Sequence, residues 1–360
     1  MHSATLKKIG KPLLQIGLPI AIAAFFLYKV KDYNWQILTA DAARWNYWLL
    51  AVSFLGFMLQ ELSFGLIWQL VLKRLGYRLD LRVCLRIYLA SEFVRYIPGN
   101  VWHVLTRVLW TGKYGVPRSI AFASMTVELI TKLAAGAIVF ALSLLFWGSA
   151  NALGSLFQSS LILVFGGVSF IALLVVLHPR ILNGLLNLAL RILKRDPVML
   201  SLRYSDILLV TLMWCASWFV AGCAFYVMLL ALWPATPLAA LPVCIGIYAI
   251  AWDFGFVTFI TPSGLGFREL AIGALFALAL PFVPGALVAV IALLSRVVST
   301  FAELLCVSVA YLSGGKQVRA VQQEQEQKSL SEDHIKQAES KESSLNLSAK
   351  LMAERGIEGD

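Results

Sequence analysis

The stretch TPSGLGFRE, Thr261 to Glu269, interrupts one of the most apolar regions of the chain. A proline, two glycines within three residues and an adjacent Arg-Glu pair oppose a continuous membrane helix. Yet IYAIAWDFGFVTFI precedes the stretch and LAIGALFALAL follows it. A second interruption, RYIPGNVWHVLTR from Arg95 to Arg107, lies between apolar segments earlier in the chain. Each break places ionisable side chains where a continuous helix would have carried only hydrocarbon.

The 360 residues are 59% hydrophobic, and the mean hydropathy is +0.78. That excludes an ordinary soluble protein. Six long apolar runs, near 13–30, 47–72, 119–147, 155–177, 207–232 and 285–311, each suffice for a membrane-crossing helix. Two more regions, 83–112 and 238–283, are interrupted by the Pro-Gly breaks. None of the runs alternates with period two, so a barrel is excluded. The expected fold is an all-α polytopic membrane protein, six long transmembrane helices plus two broken re-entrant hairpins. Residues 1–12 form a cytoplasmic N-terminus, 13–315 the transmembrane domain, and 316–360 a polar tail too poor in apolar residues to bury a core. Lys7, Lys8 and Lys11 ahead of the first run resemble the start of a signal peptide. The A-x-A at Ala21–Ala23 falls inside the apolar core, which favours an uncleaved anchor.

Net charge is +10, and its placement orients the chain. Lys73, Arg74, Arg78, Arg82 and Arg86 follow the second run, and Arg107, Lys113 and Arg118 precede the third. Arg180, Arg191, Lys194, Arg195 and Arg203 fill 178–206, a segment with the look of an interfacial helix. The loops at 148–154 and 234–240 carry no charge. Basic loops stay cytoplasmic, so both termini are expected there, although Lys29, Lys31 and Arg44 argue the other way. The basic balance is spread over membrane loops and does not indicate nucleic acid. Trp35, Trp45, Trp48 and Trp233 near run ends fit an interfacial aromatic belt. The five cysteines lie in or beside apolar runs without C-x-x-C pairing and require neither disulfide nor metal.

Followed through the membrane, the pattern span, broken hairpin, span occurs twice with opposite orientation, about 47–147 and 207–311. Pro98 and Gly99 mark the first break; Pro262, Gly264 and Gly266 mark the second. An inverted repeat with discontinuous helices at corresponding positions points to a transporter's binding site. A half-helix beginning inside the membrane offers free N–H groups and a partial positive charge, which suits phosphate, and arginine can clamp it in two-point geometry. Arg107 after the first break and Arg268 after the second are placed for this, with Glu269 beside Arg268 and His103 between Pro98 and Arg107. The alternative is that Arg268 and Glu269 form an interfacial pair ending the loop, and that His103 is a hydrogen-bonded structural residue.

Ionisable residues at membrane depth are functional candidates by default. Glu61, Glu128 with Lys132, and Arg296 with Glu303 lie within long runs; the members of each pair share a helix face. They line a translocation path, or they are ion pairs that fix packing. Glu92 with Arg95, and Asp253, sit just before the breaks and either cap exposed backbone or meet ligand. No H-E-x-x-H, G-x-S-x-G, P-loop or D-x-D is present, and the four histidines are scattered, so no catalytic, cofactor or metal site is expected.

RYIPGNVWHVLTRVLWTGKYGVP, a following span with Glu128, then TPSGLGFREL followed by SRVVSTFAEL, resemble the lysylphosphatidylglycerol synthase transmembrane-region family, over roughly residues 10–315. The second motif is the closer: Pro262, Gly264, Leu265, Gly266, Arg268 and Glu269 match the family's Pro-Gly-Gly-Leu-Gly with its Arg-Glu pair, Ser263 replacing a frequent glycine. The first departs, with Asn100, Trp102 and His103 where arginine, glycine and glutamate are usual. The resemblance implies a flippase-like domain of a prokaryotic cytoplasmic membrane, moving an anionic or lipid-linked amphiphile between leaflets. The aminoacyl-transferase domain of fused members is expected to be absent. Its partner is a membrane lipid or lipid-linked substrate, with an envelope-biosynthesis enzyme as a further candidate. An intramembrane transferase on a lipid-linked sugar or phosphate, and a non-transporting scaffold, are the other readings.

Overall fold

Helix α1 (Tyr47–Arg74) begins where the Asn46 side chain accepts from the Leu49 N–H at 3.1 Å, and it ends on Lys73 and Arg74, cations placed at the negative end of the helix dipole. The computed structural model describes residues 45–93, 102–149, 177–192, 202–258 and 264–312. After α1 come α2 (Leu81–Phe93), α3 (Trp102–Gly112) and α4 (Arg118–Ser143), the last extended by a 3-10 segment, Leu144–Ser149. An amphipathic helix follows, α5 (Pro179–Ile192), with Leu182 and Leu186 buried and Ile181, Leu185 and Leu188 exposed. The chain then forms α6 (Tyr204–Leu232), α7 (Ala240–Val257), α8 (Phe267–Ala279) and α9 (Gly285–Leu312). No strand occurs among the described residues.

Among the described residues, five helices, α1, α4, α6, α7 and α9, are long and apolar enough to cross a membrane. The expected runs 47–72, 119–147, 207–232 and 285–311 coincide with four of them. The runs 13–30 and 155–177, the tail, and the break residues Arg95, Pro98, Gly99 and Pro262 lie outside the described residues. At 1.5 Å per residue, α2 and α3, with 13 and 11 residues, reach roughly 20 and 16 Å and stop short of a full crossing. Within the expected broken region 238–283, α7 and α8 lie on either side of Pro262–Gly266. Helix α7 runs 18 residues and packs closely on α4: a methyl at Gly246 would lie 1.9 Å from Ser143 Oγ.

Helices α1 and α6 are antiparallel along their whole length. Asn46 donates to the Ala231 carbonyl (3.0 Å), Ser53 to the Ala224 carbonyl (2.8 Å), Ser63 and Ser217 share a bond (2.7 Å), and Arg74 pairs with Asp206 (2.7 Å). Helix α4 runs antiparallel to α7, with Gly136 against Asp253 and Ser143 against Gly246. Helix α2 reaches the end of α9 through Arg86 and the Ala310 carbonyl at 3.3 Å.

Small residues bring the helices close, as membrane packing without a hydrophobic drive demands. A methyl at Gly222 of α6 would come within 2.4 Å of the Ile245 backbone on α7. The outer surface stays apolar: Val297, Phe301, Leu305 and Val309 line one exposed face of α9, and Leu55, Leu59 and Leu66 are exposed on α1. Trp68, Tyr88, Trp214, Trp218, Phe225 and Tyr248 fill the interior. Gly222→Ala is expected to destabilise the detergent-solubilised protein by about 1–3 kcal/mol through overpacking. Gly273→Ala, with open space around it, is the control and should leave the thermal midpoint unchanged. Equal midpoints for the two variants would contradict the close α6–α7 approach.

Candidate functional site

Glu92 at the end of α2, Arg107 on α3 and Glu128 on α4 meet in the interior. Arg107 is 1% exposed, and each of its three nitrogens donates: Nη1 to Glu128 Oε2 (2.6 Å), Nη2 to Glu92 Oε1, and Nε to Ser91 Oγ (2.9 Å). The guanidinium lies 4.0 Å from the centre of the Tyr88 ring and 5.4 Å from that of Trp68. Tyr88 in turn donates its hydroxyl to Glu128 Oε1 at 2.7 Å, so both carboxylate oxygens are satisfied. A rigid planar fork with five N–H donors can serve two carboxylates and a hydroxyl at once, which a lysine could not. The arginine read from sequence as a phosphate clamp is therefore taken up by two carboxylates of its own half.

One turn beyond Glu128, the Lys132 ammonium sits among rings from three other helices. It lies 3.7 Å from the centre of Phe64 (α1), 4.0 Å from Trp252 (α7) and 5.0 Å from Trp214 (α6). Desolvated cation–π contacts contribute about 2 kcal/mol or more. Glu92, His103, Arg107, Glu128, Lys132 and Trp252 border a cavity of about 150 Å³ that opens toward the surface.

At the second break, Gly264 and Gly266 take φ of 66° and 89°, the left-handed region open to glycine. A methyl on Gly264 would also lie 2.3 Å from the Gly255 carbonyl oxygen, so glycine is needed there for space as well as for conformation. The turn starts α8, and Glu269 bends back to accept from the Gly266 N–H at 2.7 Å. Its other oxygen pairs with Arg296 of α9 at 3.0 Å. The short helices α3 and α8 are thus each tied to the next long helix by an ion pair, with the signs exchanged: Arg107 to Glu128, Glu269 to Arg296. These are cross-helix partners, where the spacing had suggested Glu128 with Lys132 and Arg296 with Glu303.

Arg268 sits differently. It is 9% exposed, its guanidinium lies 4.7 Å from the centre of the Tyr248 ring, and its Nε and Nη2 donate to nothing among the described residues. Asp253 is 6% exposed and packs against Gly136. Glu61 and Glu303 are both buried, on α1 and α9, and both bear electrostatically on Cys306. The site candidates thus fall into three groups: around Arg107, around Lys132, and around Arg268. Sequence reasoning missed the aromatics that hold the cations, Phe64, Trp68, Tyr88, Trp214, Tyr248 and Trp252. The available signal was helical spacing: Phe64 and Trp68, Trp214 and Trp218, Trp252 and Phe256 all recur four residues apart, on one face.

The family model described as Lysylphosphatidylglycerol synthase TM region matches residues 15–306, which include every site residue above. No curated protein matches the chain. Within the matched region, Glu128→Ala would leave Arg107 with one carboxylate in a buried site. Breaking a buried pair this way costs about 3–5 kcal/mol. A large drop in thermal midpoint in detergent is expected; a drop no greater than that of Gly273→Ala would exclude the network from holding α3 to α4.

Proposed function

The chain belongs to the lysylphosphatidylglycerol synthase TM region family, and on that premise we propose that this multi-pass membrane protein is a lipid transporter. It carries an anionic or lipid-linked amphiphile between the leaflets of a prokaryotic cytoplasmic membrane, with both termini cytoplasmic. The two halves act as an inverted repeat, and the described break at Gly264–Gly266 receives the headgroup. One observation carries this reading: Arg268, buried at the start of α8, with two guanidinium nitrogens that no described residue engages.

Burying an unpaired cation in the membrane interior costs several kcal/mol. A headgroup phosphate supplies what is missing: two oxygens in the plane of the fork, and an anion at a helix N-terminus where the dipole favours it. The Tyr248 ring lies against the guanidinium, 4.7 Å from its centre. Glu269 cannot compete, because its oxygens are held by Gly266 and Arg296. The halves thereby divide the work, Arg107 holding structure and Arg268 holding ligand, while acyl chains remain in lipid along the exposed apolar faces.

The test is leaflet exchange of tail-labelled phosphatidylglycerol in vesicles containing the purified protein, read by bleaching of the outer leaflet. Exchange should fall at least tenfold in Arg268→Ala, toward the rate of empty vesicles. Arg268→Lys, which keeps the charge but loses the fork, should be intermediate. A folded Arg268→Ala protein that exchanges the lipid at the wild-type rate would refute the assignment.

A further inference from the structure

The α4–α7 contact contains a carboxylate that the headgroup site does not use. Asp253 of α7 is 6% exposed, and its Oδ2 lies against Gly136 of α4, where a methyl group would approach within 2.1 Å. Its Oδ1 accepts no hydrogen bond from the described residues. Lys132, one turn before Gly136 on α4, bears on it electrostatically. Helix α6 presents the thiols Cys215 and Cys223, and its Asp206 is tied to Arg74 at the far end. Helix α8 presents Arg268, over Tyr248, and Glu269, paired with Arg296. The 3-10 segment has no titratable side chain, and α7 itself adds Cys244 and Tyr248. On α4, Glu128 is engaged by Arg107 and Tyr88.

An ionised carboxylate in this position has one oxygen in an apolar setting, whereas the protonated form loses that penalty. The counter-charge is also divided, because the Lys132 ammonium is held over the rings of Phe64, Trp252 and Trp214. Lys132 and Trp252, the residue before Asp253, both border the surface-opening cavity, which brings that cavity to the neighbours of Asp253.

We propose that Asp253 is a proton-binding site coupled to Lys132, and that its occupancy sets the contact between the two halves. On binding, a proton from water forms an O–H bond at the carboxylate, whose charge goes from −1 to 0, while Lys132 keeps its own protons and rests on the rings. On release, the carboxylate draws the ammonium toward α7. The interface belongs to both halves, so the shift is felt between them and can link lipid movement to a proton gradient. This coupling rests on the transport reading; proton binding itself does not.

Infrared difference spectra of the full-length protein in phosphatidylglycerol vesicles, stepped in pH, read the site directly. A protonated-carboxyl band, shifted in D₂O, should titrate in the wild type and vanish in Asp253→Asn. Lys132→Met removes the favouring cation, so the band's midpoint should move up by at least one pH unit. A band unchanged in Asp253→Asn, or a midpoint unmoved by Lys132→Met, would overturn the proposal. Tryptophan fluorescence provides a second readout should Asp253→Asn not fold: the wild-type pH response should flatten in Lys132→Met, and an identical response there would also overturn it. For the coupling, an imposed pH gradient should speed exchange of labelled phosphatidylglycerol by wild type. Asp253→Asn should exchange equally with and without the gradient; a retained gradient effect, or no wild-type exchange above empty vesicles, would remove the coupling while leaving the titrating band intact.

Discussion

A charge inside hydrocarbon has to be answered by groups from other helices, and that requirement organises the interior of this protein. Arg107 answers Glu92 and Glu128 together, so three separate helices are joined at one guanidinium. Two of those helices, as described, are too short to cross a membrane alone, and Arg107 ties both of them to α4. Replacing such a network with well-packed hydrocarbon can be neutral for stability. Its value lies in specifying one arrangement of α2, α3 and α4 among the several that apolar surfaces alone would allow.

The second half solves the same problem with the charges interchanged. Glu269 on the short helix meets Arg296 on the long one, and the same carboxylate closes the turn at Gly266. With Glu269 used twice, Arg268 is left facing an aromatic ring with donors to spare. Arg107 is thus engaged by the protein's own carboxylates, whereas two nitrogens of Arg268 are engaged by no described residue. Lys132 is held by rings of α1, α6 and α7.

Much of this architecture was legible in the residues. Continuous apolar runs located α1, α4, α6 and α9 within a few positions, because a membrane helix must be apolar along its length. The ionisable residues at depth were likewise conspicuous, since so few are tolerated. Their partners were not. Spacing along one helix suggests Glu128 with Lys132, but which side chain meets which depends on how faces of different helices pack, and Arg107 arrives from α3. The aromatics were hidden for a related reason: hydropathy reads Phe64 or Trp252 as lipid-facing, whereas each presents a ring face to a buried cation. The packing role of the α7 glycines also escaped, because sequence does not show that Gly246 and Gly255 admit Ser143 and Arg268 at close range.

The antiparallel union of α1 with α6 has a consequence for biogenesis. Ser53, Ser63 and Arg74 find their partners 171, 154 and 132 residues later in the chain. At about 5–20 residues per second, synthesis of that interval takes on the order of ten seconds. During it, α1 lacks the α6 groups that Ser53, Ser63 and Arg74 meet in the folded protein. The nascent helix must be sheltered by the insertion machinery or by provisional neighbours until α6 emerges. The earliest described span is thus among the last to reach its final surroundings.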